Sequence, residues 1–142
     1  VRTSRTILHK QESESERLRI LIVDDSEFVI HGIRSLLLDC PEWVVCGEAL
    51  NGVEAIRKAS ELRPDVILLD VIMPGISGFD VATVLRRELP GTKILLMSAE
   101  DWEVLRASAI RAGADGCVDK GRLGTELLPA IRRVIFPVIS SS

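Results

Sequence analysis

The stretch Pro64-Asp65-Val66-Ile67-Leu68-Leu69-Asp70-Val71-Ile72-Met73-Pro74-Gly75 restricts the folds open to this chain more than any other. A short, nearly continuous apolar run bounded by prolines reads as a strand buried on both faces, and such strands belong to parallel sheets packed between helices. The run ends in one carboxylate, Asp70, and a Pro-Gly turn signal follows. In open α/β sheets ligands bind at the carboxyl edge of the strands, which makes Asp70 the candidate reacting group.

The rest of the chain repeats that unit. Arg19 to Val23 reads as a strand ending in Asp24-Asp25. A helix from Ser26 to about Asp39 carries Val29, Ile33, Leu36 or Leu37, and Cys40 at helical spacing, with Glu27 and Arg34 outward, and Pro41 ends it. Trp43 to Ala49 is a second strand. Asn51 then caps a helix to about Leu62, with Glu54 three residues on. Beyond the central strand, Ser77 caps a helix through Phe79, Val81, Leu85 and Glu88, and Leu89-Pro90-Gly91 breaks it. Lys93 to Met97 is a strand ending in Ser98, a helix spans about Asp101 to Ala112, and Gly113 is its left-handed stop. Gly116 to Asp119 is a short strand followed by Lys120, and a last helix covers about Thr125 to Ile135. Strict alternation predicts an α/β fold, a doubly wound, flavodoxin-like (βα)5 unit with a five-stranded parallel sheet in the order 2-1-3-4-5 and a crevice between the first and third strands.

With 142 residues the chain is one domain's worth. Residues 1–17, with the run Gln11-Glu12-Ser13-Glu14-Ser15-Glu16-Arg17, read as a flexible polar extension, 18–136 as the folded domain, and 137–142 as a tail or truncated linker. The net charge of -3 gives no electrostatic footprint for direct nucleic acid binding. The three cysteines, Cys40, Cys46 and Cys117, form no C-x-x-C pair and no metal-like spacing with His9 or His31, so they are expected to be small buried side chains in a reducing compartment. No apolar run approaches the ~18 residues of a membrane span, and Val1 to Lys10 lack a signal peptide's apolar stretch. The expectation is a cytoplasmic protein without membrane contact.

Five side chains gather where the strands end: Asp24 and Asp25 from the first, Asp70 from the third, Ser98 from the fourth and Lys120 from the fifth. Three neighbouring carboxylates repel one another and invite a hard divalent cation, and Mg²⁺ suits oxygen ligands while bridging to a phosphoryl group. Lys120 offers a positive charge and Ser98 a hydroxyl donor, both suited to phosphoryl oxygens. A carboxylate can serve as nucleophile and form an acyl phosphate. The chemistry implied is phosphoryl transfer to Asp70.

The set Asp24-Asp25, Asp70 with Met73-Pro74-Gly75, Ser98-Ala99 and Lys120 resembles the receiver domain of bacterial two-component response regulators, over about residues 18 to 136. Val45-Cys46-Gly47-Glu48-Ala49 with Asn51-Gly52, and Ala112-Gly113-Ala114-Asp115-Gly116, look most like the subfamily that usually carries a helix-turn-helix output domain. The resemblance implies that Asp70 takes a phosphoryl group from a sensor histidine kinase or phosphotransfer protein. It implies that Asp25, Asp70 and the backbone carbonyl of Ile72 ligate Mg²⁺, with Asp24 helping through bound water. Ser98 would move toward the phosphoryl group and Lys120 would pair with it. The implied role is a signalling domain rather than an enzyme, open to homodimerisation and controlling transcription through an output domain that this chain does not contain. A stand-alone receiver or adaptor acting through protein contacts is the alternative.

Plainer roles stay open for several of these residues. Asp25 could cap the following helix, Ser98 could serve turn chemistry, and Lys120 could be an ordinary solvated lysine. Glu100 either influences water access to the acyl phosphate or is a solvated helix start, and His31 reads as a surface residue. Two positions depart from the family pattern: Cys117 stands where an aromatic ring is usual, and Gly121 where proline is common, which loosens that loop. Competing functions lack their motifs. A flavin site needs a Ser/Thr/Gly phosphate loop where Asp24-Asp25-Ser26-Glu27 stands, neither G-x-G-x-x-G nor G-x-x-x-x-G-K-[ST] occurs, and an aspartate-based phosphatase would read Asp-x-Asp.

Overall fold

The computed structural model describes residues 17–136. The elements run β1 (Leu18–Val23), α1 (Glu27–Leu37), β2 (Trp43–Ala49), α2 (Gly52–Leu62), β3 (Val66–Asp70), α3 (Gly78–Glu88), β4 (Lys93–Ser98), α4 (Trp102–Arg111), β5 (Gly116–Asp119) and α5 (Leu123–Ile135), with a 3-10 turn, Lys120–Arg122, before α5. All strand pairs are parallel and the sheet order is β2-β1-β3-β4-β5, as the alternation requires. The extension before residue 17 and the tail from 137 lie outside the described residues.

Every residue of β3 is buried, and its alternation splits the interior in two. Ile67 and Leu69 join the core under α2, α3 and α4, which includes Ala55, Val81, Leu85 and Ala109. Val66 and Leu68 join the core under α1 and α5, with Ile30, Ile33, Leu37, Leu127 and Ile131. Register then sets the functional edge. Val23 pairs with Leu69, so Asp24 comes level with Asp70; Ser98 pairs with Asp119, so Lys120 lies one residue beyond.

Helix starts follow the sequence chemistry. Asn51, Ser77 and Asp101 accept from the backbone N–H of Glu54, Asp80 and Glu103 respectively. Gly113 turns at φ +83° after α4, the conformation that favours glycine. Some details differ from expectation. The buried stripe of α1 is Ile30, Ile33 and Leu37, with Val29 only partly buried, because packing against the sheet and α5 selects among a broad apolar arc. The last helix starts at Leu123 rather than Thr125, since the 3-10 turn runs straight into it. Cys40 is buried, but Cys46 is half-buried and Cys117 is exposed on the edge strand β5. The expectation of three buried thiols is therefore corrected. Among the described residues no helix is long and apolar enough to cross a membrane.

Candidate phosphoryl-acceptor site

The carboxyl edge of β1 and β3 holds an acidic cluster. One carboxylate oxygen each from Asp24, Asp25 and Asp70 lies within 4.8 Å of the others. Asp24 is fully buried and Asp70 is 3% exposed, whereas Asp25 faces solvent. Burial of two carboxylates side by side is costly, and each has only part of its hydrogen-bonding capacity met. Asp24 Oδ1 accepts from the Ser26 N–H at 2.9 Å. Asp70 Oδ1 accepts from the Ile72 N–H at 3.3 Å, a contact the sequence did not suggest. Ile72 itself leaves its side chain 62% exposed at the rim.

Lys120 supplies the balancing charge. Its Nζ lies 2.8 Å from Asp24 Oδ2 and 3.4 Å from Asp70 Oδ2. The Asp24 contact is ionic rather than a well-aimed hydrogen bond, so Oδ2 remains a buried oxygen without a directed donor. Burial alone would lower the lysine pKa, but Asp24 and Asp70 outweigh it and hold the ammonium above its ordinary value. Burial, reinforced by the Asp24 charge, pushes Asp70 up to about 6, against the opposing pull of Lys120 and the Ile72 N–H. The solvated-lysine reading of Lys120 is set aside by these contacts.

The alternative role for Asp25 also falls away, because Ser26 caps α1: its Oγ accepts from Val29 N–H at 3.3 Å. Ser98 is buried at the same edge, and its Oγ accepts from the Glu100 N–H at 2.9 Å. It therefore serves turn chemistry in this conformation while standing at the sheet edge where Asp70 lies. The structure brings Asp24, Asp25, Asp70 and Lys120 into direct proximity. His31 is exposed on α1, as expected for a surface residue.

One positioning residue escaped the sequence reading. A Cβ on Gly78 would stand 2.2 Å from the Asp70 carbonyl oxygen and 2.7 Å from the Val71 Cα, distances that only glycine tolerates. The Gly78 N–H donates to Val71 O at 2.8 Å, which clamps the first turn of α3 onto the strand end carrying Asp70. Its signal was present: a glycine directly after the capping Ser77, at the first helical position.

The donor set fits a hard divalent cation. It consists only of carboxylate oxygens, three against one ammonium, and includes the buried Asp24 Oδ2, which has only the Lys120 ion pair to offset its charge.

Comparison with known proteins agrees with this arrangement. The family model of the response regulator receiver domain matches residues 20–132. Response regulator GacA of Pseudomonas viridiflava is 38% identical over 117 residues, covering 82% of this chain and 55% of that protein. Response regulator protein VraR of Staphylococcus aureus (strain Mu3 / ATCC 700698) is 38% identical over 118 residues, covering 82% and 56%. The chain thus spans about half the length of the curated relatives it matches. Among solved structures, a two-component response regulator of the LuxR family from Aurantimonas sp. SI85-9A1 superposes with a TM-score of 0.79 at 31% identity, covering 84% of this chain and 85% of that one. Strand ends, acidic cluster, family model and relatives agree, and the chain belongs to the response regulator receiver domains of two-component signalling.

Proposed function

We propose that this domain accepts a phosphoryl group on Asp70 from the phosphohistidine of a sensor histidine kinase or phosphotransfer protein, and passes the change to an output function. The observation that carries this reading is the placement of Lys120 Nζ between two buried carboxylates at the carboxyl ends of β1 and β3. In the transfer, a carboxylate oxygen of Asp70 forms a bond to phosphorus as the phosphorus–nitrogen bond to the histidine breaks, and the departing imidazole takes up a proton. Asp70 must be ionised to attack; burial and the Asp24 charge push its pKa up to about 6 in the metal-free site, and a cation bound beside it would favour the ionised form again. Lys120 balances the charge on the acyl phosphate, and Ser98 donates its hydroxyl to a phosphoryl oxygen.

Asp25, Asp70 and the backbone carbonyl of Ile72 would hold Mg²⁺, with Asp24 contributing through water. Bound there, Mg²⁺ supplies positive charge to the oxygens of the transferring group. The domain is not an enzyme acting on other substrates; its chemistry is confined to its own phosphorylation and dephosphorylation, in the cytoplasm. GacA and VraR, both response regulators, are about twice as long as the matched segment; in this reading the domain serves a longer response regulator that controls transcription, with a homodimer as its active form.

Intact-mass measurement after incubation with Mg²⁺ and acetyl phosphate tests the reading. One phosphoryl adduct is expected, absent in Asp70→Asn and after chelation. No adduct with any phosphodonor overturns it.

A further inference from the structure

The loop after Asp70, residues 71–77, carries the Ile72 carbonyl, the backbone oxygen of the proposed cation set. Its two ends are pinned at Val71, whose N–H donates to Met97 O at 2.9 Å and whose carbonyl accepts from the Gly78 N–H at 2.8 Å. Between those ends Ile72, Pro74 and Gly75 face solvent. Two inward side chains seat the loop: Met73 is buried, and Ile76 packs against the core under α2, α3 and α4.

Ile76 also meets the backbone of another element. Gly52, the buried first residue of α2, lies so close that an added Cβ would stand 3.1 Å from Ile76 Cβ, 3.2 Å from Ile76 O and 2.8 Å from Val81 Cγ2. The conformation of Gly52 does not itself call for glycine: positive φ among the described glycines belongs to Gly75 and Gly113. The helix start is already secured by Asn51, whose side chain accepts from the Glu54 N–H at 2.8 Å. Close approach is the physical reason for glycine at this position. The atoms it approaches do not yield cheaply. One is a backbone oxygen, one a Cβ fixed to the backbone, and the third belongs to the fully buried Val81, a β-branched side chain with little rotamer freedom in a helix. A methyl group there pushes α2 away from α3 or the loop outward, and packed interiors transmit such a push.

We propose that Gly52 is a positioning residue for the cation site: by letting the start of α2 rest on Ile76, it sets where the loop after β3, and with it the Ile72 carbonyl, stands relative to Asp25 and Asp70. This rests on the reading of Asp25, Asp70 and Ile72 as the Mg²⁺ set. The support is independent of Gly78, which fits against the end of β3 rather than the middle of the loop. Mg²⁺ is the cation that feels it most. It demands near-octahedral geometry at short distances, whereas Ca²⁺ accepts more oxygens in flexible arrangements. A displaced carbonyl therefore weakens Mg²⁺ far more than Ca²⁺.

Backbone amide shifts in a proton–nitrogen correlation spectrum, titrated with Mg²⁺ alone and with Ca²⁺ alone, give both dissociation constants on folded protein. Gly52→Ala should raise the Mg²⁺ constant about tenfold, the scale of loss when groups supporting a metal ligand are changed. The Ca²⁺ constant should change by less than about threefold. Adding Val81→Ala, which empties the space nearest the new methyl, should bring Mg²⁺ affinity back toward wild type although it removes core packing and lowers stability further. A purely structural role predicts the opposite order and moves both cations together. Ile76→Ala, which loosens the seat of the loop from the other side, should show the same selective loss and serves if Gly52→Ala does not fold. Equal weakening of both cations, unchanged Mg²⁺ affinity, or a double variant weaker for Mg²⁺ than Gly52→Ala overturns the proposal. Absence of any Mg²⁺-dependent shift in the wild type is a separate failure, of the cation site itself, and takes the proposal with it.

Discussion

The two halves of the carboxyl edge are built differently. Around β1 and β3 the reacting groups are tightly held: Asp24 and Asp70 are buried, Lys120 sits between them, and Gly78 presses α3 onto the strand end with no room for a methyl group. At the end of β4 and the start of α4 the constraints are fewer: one backbone hydrogen bond to Ser98 Oγ, one to the Asp101 cap, and a helix with one buried residue. Reacting groups need fixed geometry, and a responding surface needs two accessible arrangements. The domain places these demands side by side and keeps them apart by packing density.

The largest expected effect tests the rigid half. Asp70→Asn should abolish the phosphoryl adduct and, at the same time, stabilise the metal-free fold. The Asp70 pKa is raised from 3.8 to about 6, so the fold favours the neutral carboxyl. Stability from this group is present at acid pH and lost as pH rises through about 6. At about 1.4 kcal/mol per unit this is a loss of about 3 kcal/mol by neutral pH, which the asparagine variant avoids. Urea denaturation without Mg²⁺ should show the variant ahead at pH 7.5 and the difference closing toward pH 4. Equal stability at both pH values would mean that Asp70 carries no such strain.

Leu85→Ala removes a fully buried side chain of α3 and should cost about 2–5 kcal/mol in the same assay. Gly78→Ala should cost about 1–3 kcal/mol, because the added methyl meets backbone that cannot yield easily. It should also slow phosphorylation at saturating Mg²⁺, since Asp70 is displaced, whereas Leu85→Ala should leave the rate of the folded fraction unchanged. Phosphorylation slowed equally by both would erase the distinction between positioning and bulk stability. The smallest effect belongs to the loose half. Asp101→Ala removes the α4 cap and should cost about 1 kcal/mol, read as faster hydrogen exchange confined to α4. Spread of that effect to β1 and β3 would show the two halves to be one cooperative unit.

What could be read from the sequence followed from strand ends. An apolar run that stops at a carboxylate, a serine or a lysine announces both the strand and the residue at its edge, which is why Asp24, Asp25, Asp70, Ser98 and Lys120 stand out in the sequence. Helix caps were legible for the same local reason at Asn51 and Ser77, whereas Asp101, read only as the start of its helix, proved to be its cap. Less legible was whatever depends on neighbours distant in sequence. α1 offers Val29, Ile30, Ile33, Leu36 and Leu37, and only packing against the sheet and α5 selects which of them are buried. β5 is four residues long, too short for alternation to show that Cys117 faces outward. The closeness of Gly78 to Asp70 is a meeting of two backbones that no pattern of side chains encodes. The capping role of Ser26 rather than Asp25 turned on one residue of register.

The alternation along β3 has a consequence for how such a domain can change over generations. Ile67 and Leu69 look into one interior, Val66 and Leu68 into the other, and the backbone of the sheet separates the two. Substitutions made in separate volumes add their effects instead of compounding them. A lineage can therefore rework the volume beneath α1 and α5, and with it the surface those helices present, while the volume that seats α3 against Asp70 is inherited intact. The chain behaves as two compartments sharing one wall, and the acidic edge stands at the top of that wall.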